Sequence, residues 1–220
     1  MVRKSSFFTV LMLAVVLSAG NSWGDGILFA RLDFQTWQWS DGSHNYGANC
    51  SFTWSAANNV QSASLATPSK TVFKLRGGNG YFQYFRTFDT FDDLVSVFPP
   101  GNYVLQMSGK SYGKLQFNIK TPQLPPYITF LSPENDEVNV SRNLTVSWEA
   151  VPGGTYEIHL YYDKPWWSEI YSIYLGGDVS SFTVPQDVLD PHTWYQAEIR
   201  LWVPNCDNIS STFVRFKTGQ

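Results

Sequence analysis

One short segment restricts the fold of this chain more than any other: Leu189-Asp-Pro191-His-Thr193-Trp-Tyr195, followed at once by an alternating run over residues 196–203. Proline restricts φ and favours a turn. In the run that follows, apolar side chains occupy every second position, which is typical of a β-strand with one buried face. The segment therefore predicts a proline-containing corner that leads directly into a long strand.

This segment resembles the entry to the sixth strand of a fibronectin type III domain, whose pattern there reads Leu-x-Pro-x-Thr-x-Tyr. Trp148 stands where that family has an aromatic residue on its second strand, and the run from Phe213 to Gly219 resembles its last strand. The resemblance covers roughly residues 124–220. It implies a β-sandwich in which Tyr195 is the structural corner residue, with its hydroxyl bonded to the backbone upstream. Because such folds host many unrelated roles, the resemblance implies no particular function.

The rest of the chain also has the composition of a β-protein. It is rich in aromatic residues, with 16 Phe, 12 Tyr and 9 Trp, and its 16 Gly and 12 Pro are placed to form turns. The only helical candidate runs from Asp89 to Val97. The segment from Phe98 to Tyr103 weakly repeats the pattern of Leu189 to Tyr195. We therefore predict an all-β fold of two tandem immunoglobulin-like β-sandwiches, of which the second is fibronectin type III-like.

Residues 1–24 have the three parts of a secretory signal peptide: the basic pair Arg3 and Lys4, an apolar run from Phe7 to Leu17, and then small residues. The apolar run is about half as long as the roughly 20 residues that a membrane-spanning helix needs. We expect cleavage after Gly24. The mature protein should then be secreted or periplasmic, with no membrane insertion after removal of the leader.

The composition changes where three prolines fall within five residues, in Pro122-Gln-Leu-Pro125-Pro126. Such a segment forms a short, stiff and extended connector. We therefore expect a β-sandwich domain over residues 25–121, a proline-rich linker over residues 122–126 and a fibronectin type III-like domain over residues 127–220.

No segment carries a recognisable motif for catalysis, for a nucleotide or for a metal ion. The histidines His44, His159 and His192 lack the spacing of metal ligands. Removal of the leader, which holds Arg3 and Lys4 and no acidic residue, takes the net charge from −3 to −5. This acidity argues against nucleic acid as a partner. We expect a protein that is not an enzyme and needs no cofactor.

The two cysteines, Cys50 and Cys206, lie in different predicted domains. Sandwich topology puts Cys50 at the start of the second strand, at the end facing the second domain. It puts Cys206 in the loop before the last strand, which points back at the first domain. A disulfide there would close a loop of about 150 residues, worth on the order of 3–5 kcal/mol on the chain-entropy model. The alternative is two separate buried thiols.

Tryptophan is the residue type that most favours a binding role. Trp37 and Trp39 lie two apart and can share one face of a strand, whereas the adjacent Trp166 and Trp167 point to opposite faces. Either pair could stack on a sugar ring or anchor a protein interface, and packing at a sheet edge is the alternative. Two functions remain open: a non-enzymatic binding or adhesion protein, or a carbohydrate-binding protein that uses exposed Trp. The expected partner is a protein or glycan at the cell surface or in the periplasm.

Overall fold

A computed structural model of the 220-residue chain describes residues 27–54, 60–78, 81–109, 113–119, 124–163, 168–177, 179–204, 206 and 208–220. The predicted leader and the Trp166 and Trp167 pair lie outside the described residues, as does part of the proline-rich linker.

The described residues of the first half form seven strands, with one short helix between the fifth and sixth of them. Its elements are β1 (Ile27–Gln38), β2 (His44–Trp54), β3 (Val60–Ala66), β4 (Val72–Gly78), β5 (Tyr81–Phe88), α1 (Phe91–Val97), β6 (Gly101–Gly109) and β7 (Gly113–Ile119). The helix falls within the predicted segment from Asp89 to Val97. It begins there because Thr90 caps it, accepting a hydrogen bond from the backbone N–H of Asp93 at 3.1 Å.

These strands form two antiparallel sheets with the orders β1-β2-β5-β4 and β3-β6-β7. The strand β4 belongs to both sheets, because residues 72–75 pair with β3 and residues 76–78 pair with β5. This is the strand arrangement of a constant-type immunoglobulin sandwich. The predicted immunoglobulin-like fold of the first half is therefore confirmed.

The second half forms a further sandwich. Its strands are β8 (Phe130–Ser132), β9 (Glu137–Val140), β10 (Thr145–Trp148), β11 (Thr155–Tyr162), β12 (Glu169–Leu175), β13 (Ser181–Thr183), β14 (Trp194–Trp202) and β15 (Ile209–Thr218). One sheet has the order β13-β10-β8, and the other has β12-β11-β14-β15. The predicted fibronectin type III-like sandwich is confirmed.

The strand β9 begins at the last residue of the acidic segment from Glu134 to Glu137, whose polar composition favours a loop. It pairs in parallel with β15. Arg215 of β15 holds the segment: its Nη1 lies 3.1 Å from Asp136 Oδ1, and its backbone N–H donates to Asn135 Oδ1 at 3.0 Å. The edge of β15 thus imposes a strand on residues whose own composition favours a loop.

Each sandwich has a tyrosine whose hydroxyl contacts the backbone just upstream. Tyr103 Oη donates to the carbonyl of Pro99 at 2.6 Å. In the second sandwich the backbone N–H of Asp190 donates to Tyr195 Oη at 2.7 Å, and Leu189 beside it is fully buried. The two proline turns singled out in the sequence therefore enter equivalent strands, β6 and β14, in their respective sandwiches.

The two sandwiches share one continuous sheet. Residues 35–38 of β1 pair in parallel with residues 209–212 of β15, which joins the sheets β1-β2-β5-β4 and β12-β11-β14-β15. With β3-β6-β7 attached through β4, and β9 attached to β15, the continuous sheet has twelve strands. The backbone N–H of Phe34 donates to Asn208 Oδ1 at 2.8 Å, and the Thr36 hydroxyl is hydrogen-bonded to the hydroxyl of Tyr127. The sequence predicts a stiff linker at this junction, and the structure adds a hydrogen-bonded strand pair.

No disulfide joins Cys50 and Cys206, both of which the structure describes. The strand β2 begins at His44, six positions earlier than predicted from Cys50, so Cys50 lies mid-strand. Its side chain is 1% exposed and belongs to the core of the first sandwich. Burial, aided by the nearby Asp33 carboxylate, raises the pKa of the Cys50 thiol to about 12. The structure thus has two separate thiols, because the Cys50 side chain points into a core rather than at the junction.

Candidate ligand-binding groove

An aromatic groove lies on the outward face of β1, β2 and β5, close to the junction of the two sandwiches. Its volume is about 310 Å³, and it is lined by Trp37, Trp39, Asn45, Phe85 and Thr87. Strand register brings these residues together, since Trp37 pairs with Asn45 on β2. Phe85 is 48% exposed. The groove is therefore an open, mainly apolar surface with a hydroxyl and a carboxamide at its edge.

Gly47 sets the position of the Trp37 ring. An ideal Cβ placed on Gly47 would lie 2.5 Å from Cη2 and 2.7 Å from Cζ3 of Trp37. The six-membered part of the indole therefore lies directly over the glycine. Phe85 packs against the same ring edge-on, with the ring centroids 5.9 Å apart at 78°. Only glycine leaves room for this arrangement, so the Trp37 ring is held against the sheet between two neighbours.

Trp39 is held by both sandwiches. Its Nε1 donates to Asn45 Oδ1 at 2.7 Å. Its ring stacks on Phe213 of the second sandwich, with centroids 4.7 Å apart at 18°. A tight hairpin precedes Asn45, in which the Trp39 N–H donates to the Ser43 carbonyl at 2.9 Å. This wall of the groove thus depends on the contact between the two sandwiches.

Carboxamide side chains continue along the same face beside the groove. Gln83 Nε2 donates to Asn49 Oδ1 at 2.9 Å, and Asn49 Nδ2 donates to Asp33 Oδ1 at 3.1 Å. Gln35 Nε2 donates to Asp33 Oδ2 at 2.8 Å, and Arg31 pairs with Asp33 at 2.6 Å. Asp33 is fully buried beneath these partners, and burial raises its pKa. The surface next to the groove is consequently rich in amides.

The structure places the two sequence-predicted Trp pairs differently. Trp37 and Trp39 line one groove, whereas Trp166 and Trp167 lie outside the described residues. Sequence reasoning missed Asn45, Phe85 and Thr87. The last two lie in the aromatic run from Tyr81 to Phe88, whose alternation shows that a strand has two faces but not which face lies beside Trp37.

A second polar cluster occupies the outward face of β11, β12 and β14. His159 is central: its Nδ1 lies 2.7 Å from Glu169 Oε2, and its Nε2 lies 3.2 Å from Glu157 Oε2. Arg200 contacts both oxygens of Glu198, at 2.8 and 3.0 Å. His159 and Glu198 are only 5% and 2% exposed. Each carboxylate of this cluster is already engaged by a neighbour, which favours a structural role that ties the edge strand β12 to β11.

The charges of the cluster shift the pKa values of its members. Burial acts to lower the pKa of His159, but the adjacent Glu157 carboxylate outweighs it, so the pKa of His159 is raised. Burial acts to raise the pKa of Glu157, but His159 and Arg200 outweigh it, so that pKa is lowered. Both shifts favour the charged forms. In its protonated form the His159 ring presents one ring nitrogen to each of two carboxylates, Nδ1 to Glu169 and Nε2 to Glu157.

We expect His159→Gln to destabilise the protein in a pH-dependent way. Because the pKa of His159 is raised in the folded state, the charged ring stabilises the fold. This stabilisation is fully present below the pKa of histidine in the unfolded chain, about 6.5, and is lost as pH rises through the folded-state pKa. Glu157 is also charged above about 4.3. The loss in the free energy of unfolding should therefore be largest near pH 5–6 and small at pH 9, as measured by urea denaturation. Tyr174→Phe on the same strand should show no such trend. A pH-independent loss for His159→Gln would contradict the assignment.

No protein-family model matches the chain, and no curated protein is similar to it. Many solved structures are similar, among them the following three. Domains FN1–FN3 of chicken CNTN1 are 12% identical, with a TM-score of 0.33, and the match covers 78% of this chain and 63% of that one. A two-domain fibronectin type III segment of chicken tenascin is 14% identical, with a TM-score of 0.34 and coverages of 88% and 100%. The BSP domain of a biofilm-associated protein is 11% identical, with a TM-score of 0.28 and coverages of 88% and 30%.

Fold and strand order together define a protein of two tandem immunoglobulin-like sandwiches, the second of them fibronectin type III-like. Within the described part of the chain, no helix is long and apolar enough to cross a membrane. In the same residues, no group of three or more His, Cys, Asp or Glu side chains is arranged to hold a metal ion.

Proposed function

We propose that this protein is an exported, non-enzymatic binding or adhesion protein that contacts its ligand at the groove formed by Trp37, Trp39 and Phe85. The single observation that carries the proposal is this aromatic surface, held open on the outward face of a sheet. A soluble protein normally places such side chains in its core, and exposed aromatic groups mark interaction sites. Strand pairing across the junction supports the proposal, because it presents the groove on a rigid scaffold.

Export is part of the proposal. It is supported by the tripartite leader over residues 1–24 and by a mature chain with a net charge of −5. The protein would then work outside the cell or in the periplasm, with a protein or a glycan as its partner. Carbohydrate recognition is the alternative function, and the aromatic and amide lining of the groove favours it.

The test is a binding screen of the labelled mature chain against a printed glycan array and a library of purified extracellular protein domains. We expect Trp37→Ala to weaken binding to the recognised probes about 30-fold, because an anchoring aromatic side chain contributes about 2 kcal/mol or more. The control variant is Tyr174→Ala. Tyr174 is 62% exposed on β12 of the second sandwich, far along the sheet from the groove.

The control should bind like the wild-type protein. If neither collection contains a probe whose binding depends on Trp37, or if Tyr174→Ala weakens binding as much as Trp37→Ala, the groove is not the binding site. Thermal unfolding of both variants must show that they fold, and Trp37→Ala should remain folded because its side chain is only half-buried on the outward face.

A further inference from the structure

We propose that the ligand of the groove is an uncharged saccharide, whose ring stacks on Trp37 while its hydroxyls bond to the neighbouring amides. This inference rests on the proposed function, because it names the class of ligand for the same site. Four features of the groove support it: the orientation of the aromatic rings, the absence of charge in the lining, the amides beside it, and its size.

The ring orientation suits a sugar. The Cη2 and Cζ3 atoms of the Trp37 indole lie against Gly47, where no side chain stands beneath the ring, and the ring lines the groove. The face of an aromatic ring carries partial negative charge. The C–H bonds on the face of a pyranose carry partial positive charge, so the two flat surfaces attract each other when stacked. Phe85, 5.9 Å away and edge-on, forms a side wall rather than a competing platform.

The lining carries no formal charge. None of the five residues that form the groove is ionisable at neutral pH. On the same face of β1, Arg31 and Asp33 form an ion pair 2.6 Å apart. A sulfated, sialylated or uronic-acid ligand would lose hydration on entering the groove and would find no unpaired cation in its lining to replace that hydration. The groove therefore favours a neutral ligand over an anionic one.

Amides match the hydroxyl groups of a sugar. A carboxamide both donates and accepts hydrogen bonds, as a hydroxyl does. Asn45 lines the groove, and because its Oδ1 atom accepts from Trp39, its amino group provides the donor of this carboxamide. Gln35 and Gln83 each use Nε2 in the network with Asp33 and Asn49, so their Oε1 atoms provide acceptors. These groups extend the site along the sheet beyond the aromatic rings.

The apolar surface of the groove is large enough for a small ligand such as a sugar ring but too small for a protein partner. A standard protein interface buries about 800 Å² on each side. An aromatic side chain buries about 150–250 Å² in total. The three rings of this groove are already partly covered by Gly47, Phe213 and each other, and polar side chains surround them. At about 310 Å³, the groove lies near the lower limit of small-molecule sites, which are about 300–1,000 Å³.

The test titrates neutral oligosaccharides of glucose, mannose, galactose and xylose into the mature chain, with sulfated and uronic-acid oligosaccharides as the charged set. Binding is followed by calorimetry and by tryptophan fluorescence. The decisive variant is Gly47→Ala, whose methyl group displaces the Trp37 ring without removing it. Its matched control is Gly176→Ala, because an added Cβ at Gly176 meets nothing within 4 Å.

We expect at least one neutral oligosaccharide to bind. Gly47→Ala should reduce its affinity about tenfold, which corresponds to the loss of one good stacking contact. Gly176→Ala should leave the affinity unchanged. Trp37→Ala should weaken the same binding if Gly47→Ala proves unfolded. Preference for charged sugars, or Trp37-dependent binding to proteins alone, would overturn the saccharide inference and leave the proposed function standing. Binding that is independent of both Trp37 and Gly47 would overturn the two together.

Discussion

Replacement of Phe98 by alanine should destabilise the first sandwich by about 3–5 kcal/mol, the usual cost of truncating a fully buried aromatic residue. Phe98 is 0% exposed, and its ring centroid lies 5.2–6.3 Å from those of five other aromatic residues. These neighbours are Phe34, Phe73, Tyr84, Phe88 and Tyr103. They come from β1, β4, β5 and β6, so the ring connects both sheets. Since stacked and edge-to-face rings cannot all move into the vacated space, a cavity should remain.

The measurement for Phe98→Ala is urea denaturation followed by circular dichroism. Phe85→Ala is the matched control, because it makes the same chemical change in the same sandwich at a side chain that is 48% exposed. We expect the control to cost less than about 1 kcal/mol. Similar costs for the two variants would show that Phe98 is not the centre of this core. The free energy of unfolding of a domain of this size is only about 5–15 kcal/mol, so Phe98→Ala alone should remove a large part of that stability.

Replacement of Trp148 by alanine should have a similar effect on the second sandwich, with a loss of about 3–5 kcal/mol. Trp148 is 1% exposed on β10, and its ring lies 5.1 Å from that of Tyr156 on the facing sheet. The indole is among the largest fully buried side chains of the described residues. Its removal leaves the space between the two sheets unfilled, and the surrounding strands cannot close it without breaking their pairing.

Trp148→Phe separates the volume of this side chain from its hydrogen-bonding group. The indole N–H of Trp148 has no hydrogen-bond partner among the described residues. Loss of this N–H group should therefore break no hydrogen bond, and it removes a buried donor that has no acceptor. We expect Trp148→Phe to cost about half as much as Trp148→Ala, measured by the same urea denaturation. If the phenylalanine variant were as unstable as the alanine variant, the indole N–H would have a partner in solution.

Several strands could be predicted from the sequence because their own side chains specify them. In β11, Tyr156, Ile158 and Leu160 are buried at every second position, and the alternation predicts the strand from Thr155 to Tyr162. The proline corner before β14 is likewise local: the turn residues and the Tyr195 hydroxyl that contacts Asp190 lie within seven positions of each other. Local patterns of this kind predict a strand wherever one face of the segment is buried.

Other features could not be predicted, because they depend on segments that are far apart in the chain. The strand β9 forms because Arg215 and the edge of β15 lie beside an acidic segment. The groove needs Phe85 on β5 to lie beside Trp37 on β1, which a shift of one residue in register would prevent. The position of Cys50 shows the same limit, since the start of β2 at His44 decides how far the thiol lies from the junction.

The amino-acid sequence by itself determined the all-β class, the two sandwiches and the corner that leads into Tyr195, because alternation, prolines and buried apolar residues act over a few neighbouring positions. Only the tertiary structure decided that β1 pairs with β15, that Trp39 stacks on Phe213, and that Trp37 lies over Gly47 in an open groove. These contacts join residues separated by up to about 170 positions. Such contacts depend on which free strand edges pair and on how side chains fit between them. Neither can be predicted from the local sequence pattern.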